Sequence, residues 1–79
     1  MTDPERLAHE AMSLRDNEAF QTALDNMRRD AVEALVRVPA TDTEAIRDYQ
    51  ATVKVVDDLR SDIEGFIRSG SPRKAAGIA

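Results

Sequence analysis

Two long stretches of helical periodicity are separated by Val38-Pro39-Ala40-Thr41-Asp42-Thr43-Glu44, and this interruption limits the chain to a hairpin of helices. Pro39 lacks the amide proton a helix needs and pushes the residue before it toward extended geometry. Thr41, with Glu44 three residues later, has the capping-box spacing that starts a helix. Before the interruption, Phe20, Leu24, Met27, Ala31, Leu35 and Val38 recur every three or four positions. After it, Ile46, Tyr49, Val53, Val56, Leu59, Ile63 and then Phe66 or Ile67 do the same. Each series paints one face of an α-helix.

A shorter helix precedes these two. Its start reads in two ways, with Thr2 as cap and Glu5 completing a capping box, or with Asp3 as cap and Pro4 at the first helical position. Leu7, Ala8, Ala11, Met12 and Leu14 form its apolar stripe, which runs out at Arg15-Asp16-Asn17-Glu18. Asp16 or Asn17 suits the cap of a new helix, so a break is expected at residues 15 to 17. Gly70 is expected in the left-handed position that closes the last helix, with Pro72 preventing resumption. The expectation is therefore all-α: an antiparallel hairpin of two long helices, about 17–38 and 42–69, with a short N-terminal helix, about 3–14. Residues 1–70 form one domain and 71–79 a flexible tail. Gly65, inside the last helix, reads as a tolerated defect near a fraying end or as a point of close helix approach.

Seventy-nine residues bury little apolar surface, and such chains need a supplement to their core. The chain has no cysteine and a single histidine, so neither a disulfide nor a transition-metal site is expected. Self-association remains, and the two stripes would form the core and interface of an oligomeric bundle. No apolar run approaches the ~18 residues of a membrane span, and Met1 to Arg15 lacks the pattern of a signal peptide. A soluble, cytoplasmic protein is the expectation. Fifteen acidic and 11 basic residues are interleaved to a net charge of −4, which argues against nucleic-acid binding.

Catalysis requires a nucleophile, base or electrophile within mutual reach. His9 stands alone, Asp57 and Asp58 point about 100° apart on a helix, and there is no glycine-rich phosphate loop. No enzyme activity and no cofactor are expected. Arginine is the more informative residue. Asp25 precedes Arg29, Glu33 precedes Arg37 and Glu64 precedes Arg68 by four positions, the favourable order for surface pairs. Arg28, Arg47, Lys54 and Arg60 have no acid four positions earlier. With Tyr49 they make a candidate anion or nucleotide site, since a guanidinium fork beside an aromatic ring suits a phosphate-bearing ligand. The ordinary reading of Tyr49 is a core tyrosine with its hydroxyl at the rim.

From Asn17 to Gly70 the chain resembles small helical-hairpin proteins encoded by tailed bacteriophages and prophages, often near head-assembly genes. The stretches that carry the resemblance are Asn17-Glu18-Ala19-Phe20-Gln21-Thr22-Ala23-Leu24, Pro39-Ala40-Thr41-Asp42-Thr43-Glu44-Ala45-Ile46-Arg47, and Leu59-Arg60 leading to Gly70. Members of that group carry Asp-Pro where Asp16-Asn17 stands and a tryptophan near Tyr49. The resemblance implies a phage or prophage origin and a protein that is not an enzyme. The expected role is a non-catalytic accessory protein of head assembly or of the virion, self-associating and contacting phage structural proteins, in the bacterial cytoplasm during infection or in the particle. The alternative is an anti-defence protein that sequesters a nucleotide messenger in an intersubunit pocket.

Overall fold

A computed structural model describes residues 3–70. Three helices follow in order: α1 (Pro4–Arg15), α2 (Glu18–Arg37) and α3 (Thr43–Gly70). The caps explain the boundaries. Asp3 accepts from the Glu5 amide at 3.0 Å with Pro4 at the first turn, which selects the second of the two expected starts; Thr2 lies outside the described residues. Asn17 accepts from the Phe20 amide at 2.8 Å and opens α2 just past the break. At the corner, Asp42 takes the capping role expected of Thr41, accepting from the Ala45 amide at 3.1 Å. The reason is the turn that precedes it. The Asp42 amide donates to the Pro39 carbonyl at 2.9 Å, so Ala40 and Thr41 are its central residues and Asp42 meets the first exposed amides of α3.

At about 1.5 Å per residue, the 28 residues of α3 span about 42 Å, and α2 covers only part of that length. The remainder is covered by α1. Both α1 and α2 run antiparallel to α3, and they touch each other little. Pro4 and Ala8 meet Gly70. Ala11 packs on Ile63 and Ile67 together with Met12 and Phe20. Gln21 and Asp25 reach Arg60, and Arg28 reaches Asp57. The first arm of the hairpin is thus one long arm broken at Asp16-Asn17. The molecule measures 54 × 25 × 25 Å, with a radius of gyration of 17.0 Å against the roughly 11–12 Å of a compact chain this long.

The interior is correspondingly slight. Among the described residues the buried apolar side chains are Ala8, Ala11, Leu24, Ala31, Val56, Ile63 and Ile67, and three of these are alanines. Alanines on α1 and α2 let those helices approach α3 closely, at the expense of buried side-chain area.

Gly70 departs from expectation. It belongs to α3, it is buried, and its backbone is not left-handed; its role is close approach. A Cβ there would overlap the Pro4 carbonyl oxygen and stand 2.6 Å from Ala8 Cβ. At Gly65 an added Cβ would meet only the Arg68 guanidinium, at 3.9 Å, so of its two readings the tolerated defect holds and α1 does not touch that position. Pro72 and the expected tail lie outside the described residues. The two glycines should respond with opposite signs. Gly70→Ala is expected to destabilise the fold by ~1–3 kcal/mol through overpacking, and Gly65→Ala to stabilise it by up to ~1 kcal/mol through helix propensity, both read from urea unfolding. Equal effects at the two sites would contradict the packing described.

Candidate functional site

The two flanks of the hairpin differ in chemistry. One flank is polar and internally paired. Arg28 from α2 grips Asp57 of α3 with two parallel bonds, Nε to Oδ1 at 2.9 Å and Nη2 to Oδ2 at 3.3 Å. One turn along, Arg60 Nη2 lies 2.5 Å from Asp25 Oδ1 and 3.3 Å from both the backbone carbonyl and the side-chain oxygen of Gln21. Gln21 Nε2 in turn donates to the Leu14 carbonyl at 3.3 Å. Arg60 therefore reaches from α3, through Gln21, to the last turn of α1, and ties the broken arm across its break.

These contacts answer for most of the candidate anion site. Arg28 and Arg60 are engaged by carboxylates of α2 and α3, and Lys54 by Asp58 at 2.7 Å. Among the described residues Arg47 makes no ion pair. Tyr49 instead lines a groove with Met27, Ala31 and Thr52, so the structure does not gather the five residues into one pocket. The three expected acid-first pairs are also absent among the described residues. Asp25 pairs with Arg60, Arg29 lies 3.5 Å from its neighbour Asp30, and the four-residue pairs that form, Arg6 with Glu10 and Lys54 with Asp58, have the base first.

Hydrogen bonding to Arg28 holds the Asp57 carboxyl below the usual carboxylate range, and the same contact raises Arg28. Asp58 likewise raises Lys54. A depressed carboxylate stabilises the folded state above its unfolded pKa, about 3.9, and that contribution is lost as pH falls through the lowered folded value.

The other flank is apolar. At about 100° per residue, Val55, Leu59 and Phe66 fall within roughly 40° of one another on α3, turned roughly 80° from the core line of Val56, Ile63 and Ile67. Because α1 and α2 are antiparallel to α3, the same sense of turn from their own core lines leads to the same flank, and there lie Leu14 and Met27. Tyr49 lies nearer the core line of α3 and borders this flank through the groove it lines. Met27, Ala31, Tyr49 and Thr52, with Asp30 at the edge, line a groove of ≈ 310 Å³ between α2 and α3. Met27 is 49% exposed, Val55 60% and Phe66 41%. Of the eight exposed large apolar residues among those described, only Val32 and Val36 lie elsewhere.

The fourteen expected core and interface residues divide accordingly. Leu24, Ala31, Val56, Ile63 and Ile67 are buried within the chain; Phe20, Leu35, Val38, Ile46 and Val53 are half-buried; Met27, Tyr49, Leu59 and Phe66 face outward. Sequence reasoning passed over Val55 and Leu14 as members of the flank. The signal was present, since Ala51, Val55, Leu59, Asp62 and Phe66 form a second series at threes and fours along α3.

No protein-family model, curated protein or solved structure matches the chain.

Replacing Asp57 by Asn should lower the melting temperature slightly and by a constant amount between about pH 5 and 8. The difference from the native chain should shrink as pH falls below about 3.9 and vanish only once pH has passed the lowered folded value of Asp57. Removal of the Arg60 guanidinium in Arg60→Met should cost ~1 kcal/mol and speed amide exchange around Asn17 to Gln21, measured by hydrogen–deuterium exchange.

Proposed function

We propose that this protein is a non-catalytic, self-associating helical protein that works by helix-to-helix contact, its working surface being the apolar flank of Leu14, Met27, Tyr49, Val55, Leu59 and Phe66. The observation that carries this reading is the contrast between the flanks. Of the eight exposed large apolar side chains among the described residues, six gather on one side, while on the other Arg28 and Arg60 are satisfied by carboxylates of the same chain. Contiguous apolar surface on a small soluble chain is the mark of an interaction site. The slender core makes the same demand, since burying the flank supplies the apolar contact that the single chain lacks.

The setting we propose is phage head assembly or the particle itself, where an acidic, helical, self-associating accessory protein would contact structural proteins. The segmental resemblance of Asn17 to Leu24 and of Pro39 to Arg47 supports that setting. The engagement of Arg28, Lys54 and Arg60 by carboxylates weighs against the nucleotide-sequestering alternative, which needs those cations free.

Light scattering coupled to size exclusion tests the proposal. A discrete oligomer is expected at micromolar concentration, with Met27→Glu shifting it toward monomer and Val36→Glu, on the outer face of α2, leaving it unchanged. A panel of cyclic and ADP-ribose-type nucleotides should leave the melting temperature where it was, and head proteins expressed with the chain should sediment with it. A monomer throughout the micromolar range, or a nucleotide-dependent rise in melting temperature, would overturn the reading.

A further inference from the structure

The apolar flank holds both a projection and a recess. The recess is the groove between α2 and α3 lined by Met27, Ala31, Tyr49 and Thr52. The projection is Phe66, on the same flank and 17 residues farther along α3 than Tyr49, about 26 Å away. We propose that two copies of this chain dock flank to flank about a two-fold axis lying across the helices close to Val55 and Leu59, so that Phe66 of each copy enters the groove of the other. This arrangement rests on the self-association proposed above and adds its geometry.

Three observations select it. A two-fold interface brings each surface feature against its complement on the other copy, so one projection and one recess on a single face are sufficient when the axis lies midway between them. An axis across the helices does this, pairing the two α3 helices antiparallel. An axis along the helices would instead lay groove over groove and leave both Phe66 rings outside. The groove walls also suit the ring, with the Tyr49 aromatic on one side and the Met27 thioether on the other.

Charge fixes the register. The strip is flanked on α3 by Asp48 and Asp62, both exposed, and by no base. With the axis midway between groove and ring, Val55 meets Leu59 across the centre and Tyr49 lies opposite Phe66. Sliding the helices until Asp48 faces Asp62 would oppose two carboxylates at each end of the interface, as like charges disfavour. Size agrees as well. From Tyr49 to Phe66 the strip is about 26 Å long on a molecule 25 Å wide. Taken over the full width, that is at most roughly 650 Å² in plan per partner, at the lower end of the range for specific interfaces.

Since the chain has no cysteine, engineered ones report contacts directly. Chains carrying Ala51→Cys and Asp62→Cys, both exposed positions beside the strip, are mixed and treated with a short bis-maleimide. The expected product is the mixed 51–62 dimer, with little linkage of either chain to itself, because the register leaves like positions many residues apart. In parallel, Phe66→Ala should raise the dissociation constant at least tenfold while circular dichroism and melting of the diluted monomer stay unchanged. Self-linkage of either single-cysteine chain, no linkage in a preparation that scatters as an oligomer, or a Phe66→Ala chain that associates normally would overturn the arrangement and leave self-association standing. Monomers in every preparation would overturn both.

Discussion

The governing constraint is thickness: α3 packs on α1 at one end and on α2 toward the corner, and α1 and α2 touch each other little. Two packed helices share a seam, and a seam has no interior. At the α3 end the pair is α1 with α3, and toward the corner it is α2 with α3; because α1 continues the line of α2 past Asp16-Asn17, it never comes to lie across both as a third helix would. The consequence is visible in burial. Among the described residues Val56 is the one large side chain almost wholly withdrawn from water, and alanines supply much of the remaining seam. Such a protein would gain apolar burial from a second layer, which the self-association proposed above would supply.

The division of labour between the flanks follows from that. Arg28 with Asp57, and Arg60 with Asp25 and Gln21, are cross-helix contacts that set the register of α2 on α3. Their side chains are largely exposed, so their contribution to stability is modest. Their contribution to specificity is larger, since they are satisfied only when the two helices are aligned as observed. Among the described residues the apolar flank has no such devices, and the groove beside Tyr49 gives it a shape.

Most of the architecture was legible in the residues themselves. Pro39 and the polar cluster at Arg15 to Glu18 end helices for local reasons, and the three- and four-residue spacing of the apolar series fixes which side of each helix turns inward. What was not legible depended on distance. The capping role passed from Thr41 to Asp42 because a turn from Pro39 had already claimed Thr41, a matter of one residue that spacing rules do not resolve. Ion pairing was misjudged because a search along one helix cannot see Asp57 opposite Arg28, which lies 29 positions away in the chain. Gly70 looked like an ordinary helix stop, and only the path of α1 reveals that a backbone passes over it. The same holds for the candidate sites. The stripe from Phe20 to Ile67 contains the inward residues and part of the outward ones, and their separation requires knowing that the seam is one helix deep.

The contact between Gly70 and Pro4 has one more implication, which concerns chain topology. The first and last helical residues of the described region meet at one pole of the rod, and the Pro39 to Asp42 corner occupies the other. A short bridge joining those adjacent ends, with a new opening cut in the corner, would give a circular permutant in which α3 precedes α1 and every helix keeps its neighbours. What defines this structure is the arrangement of three segments along a common seam, and the order in which a ribosome makes them is incidental to it.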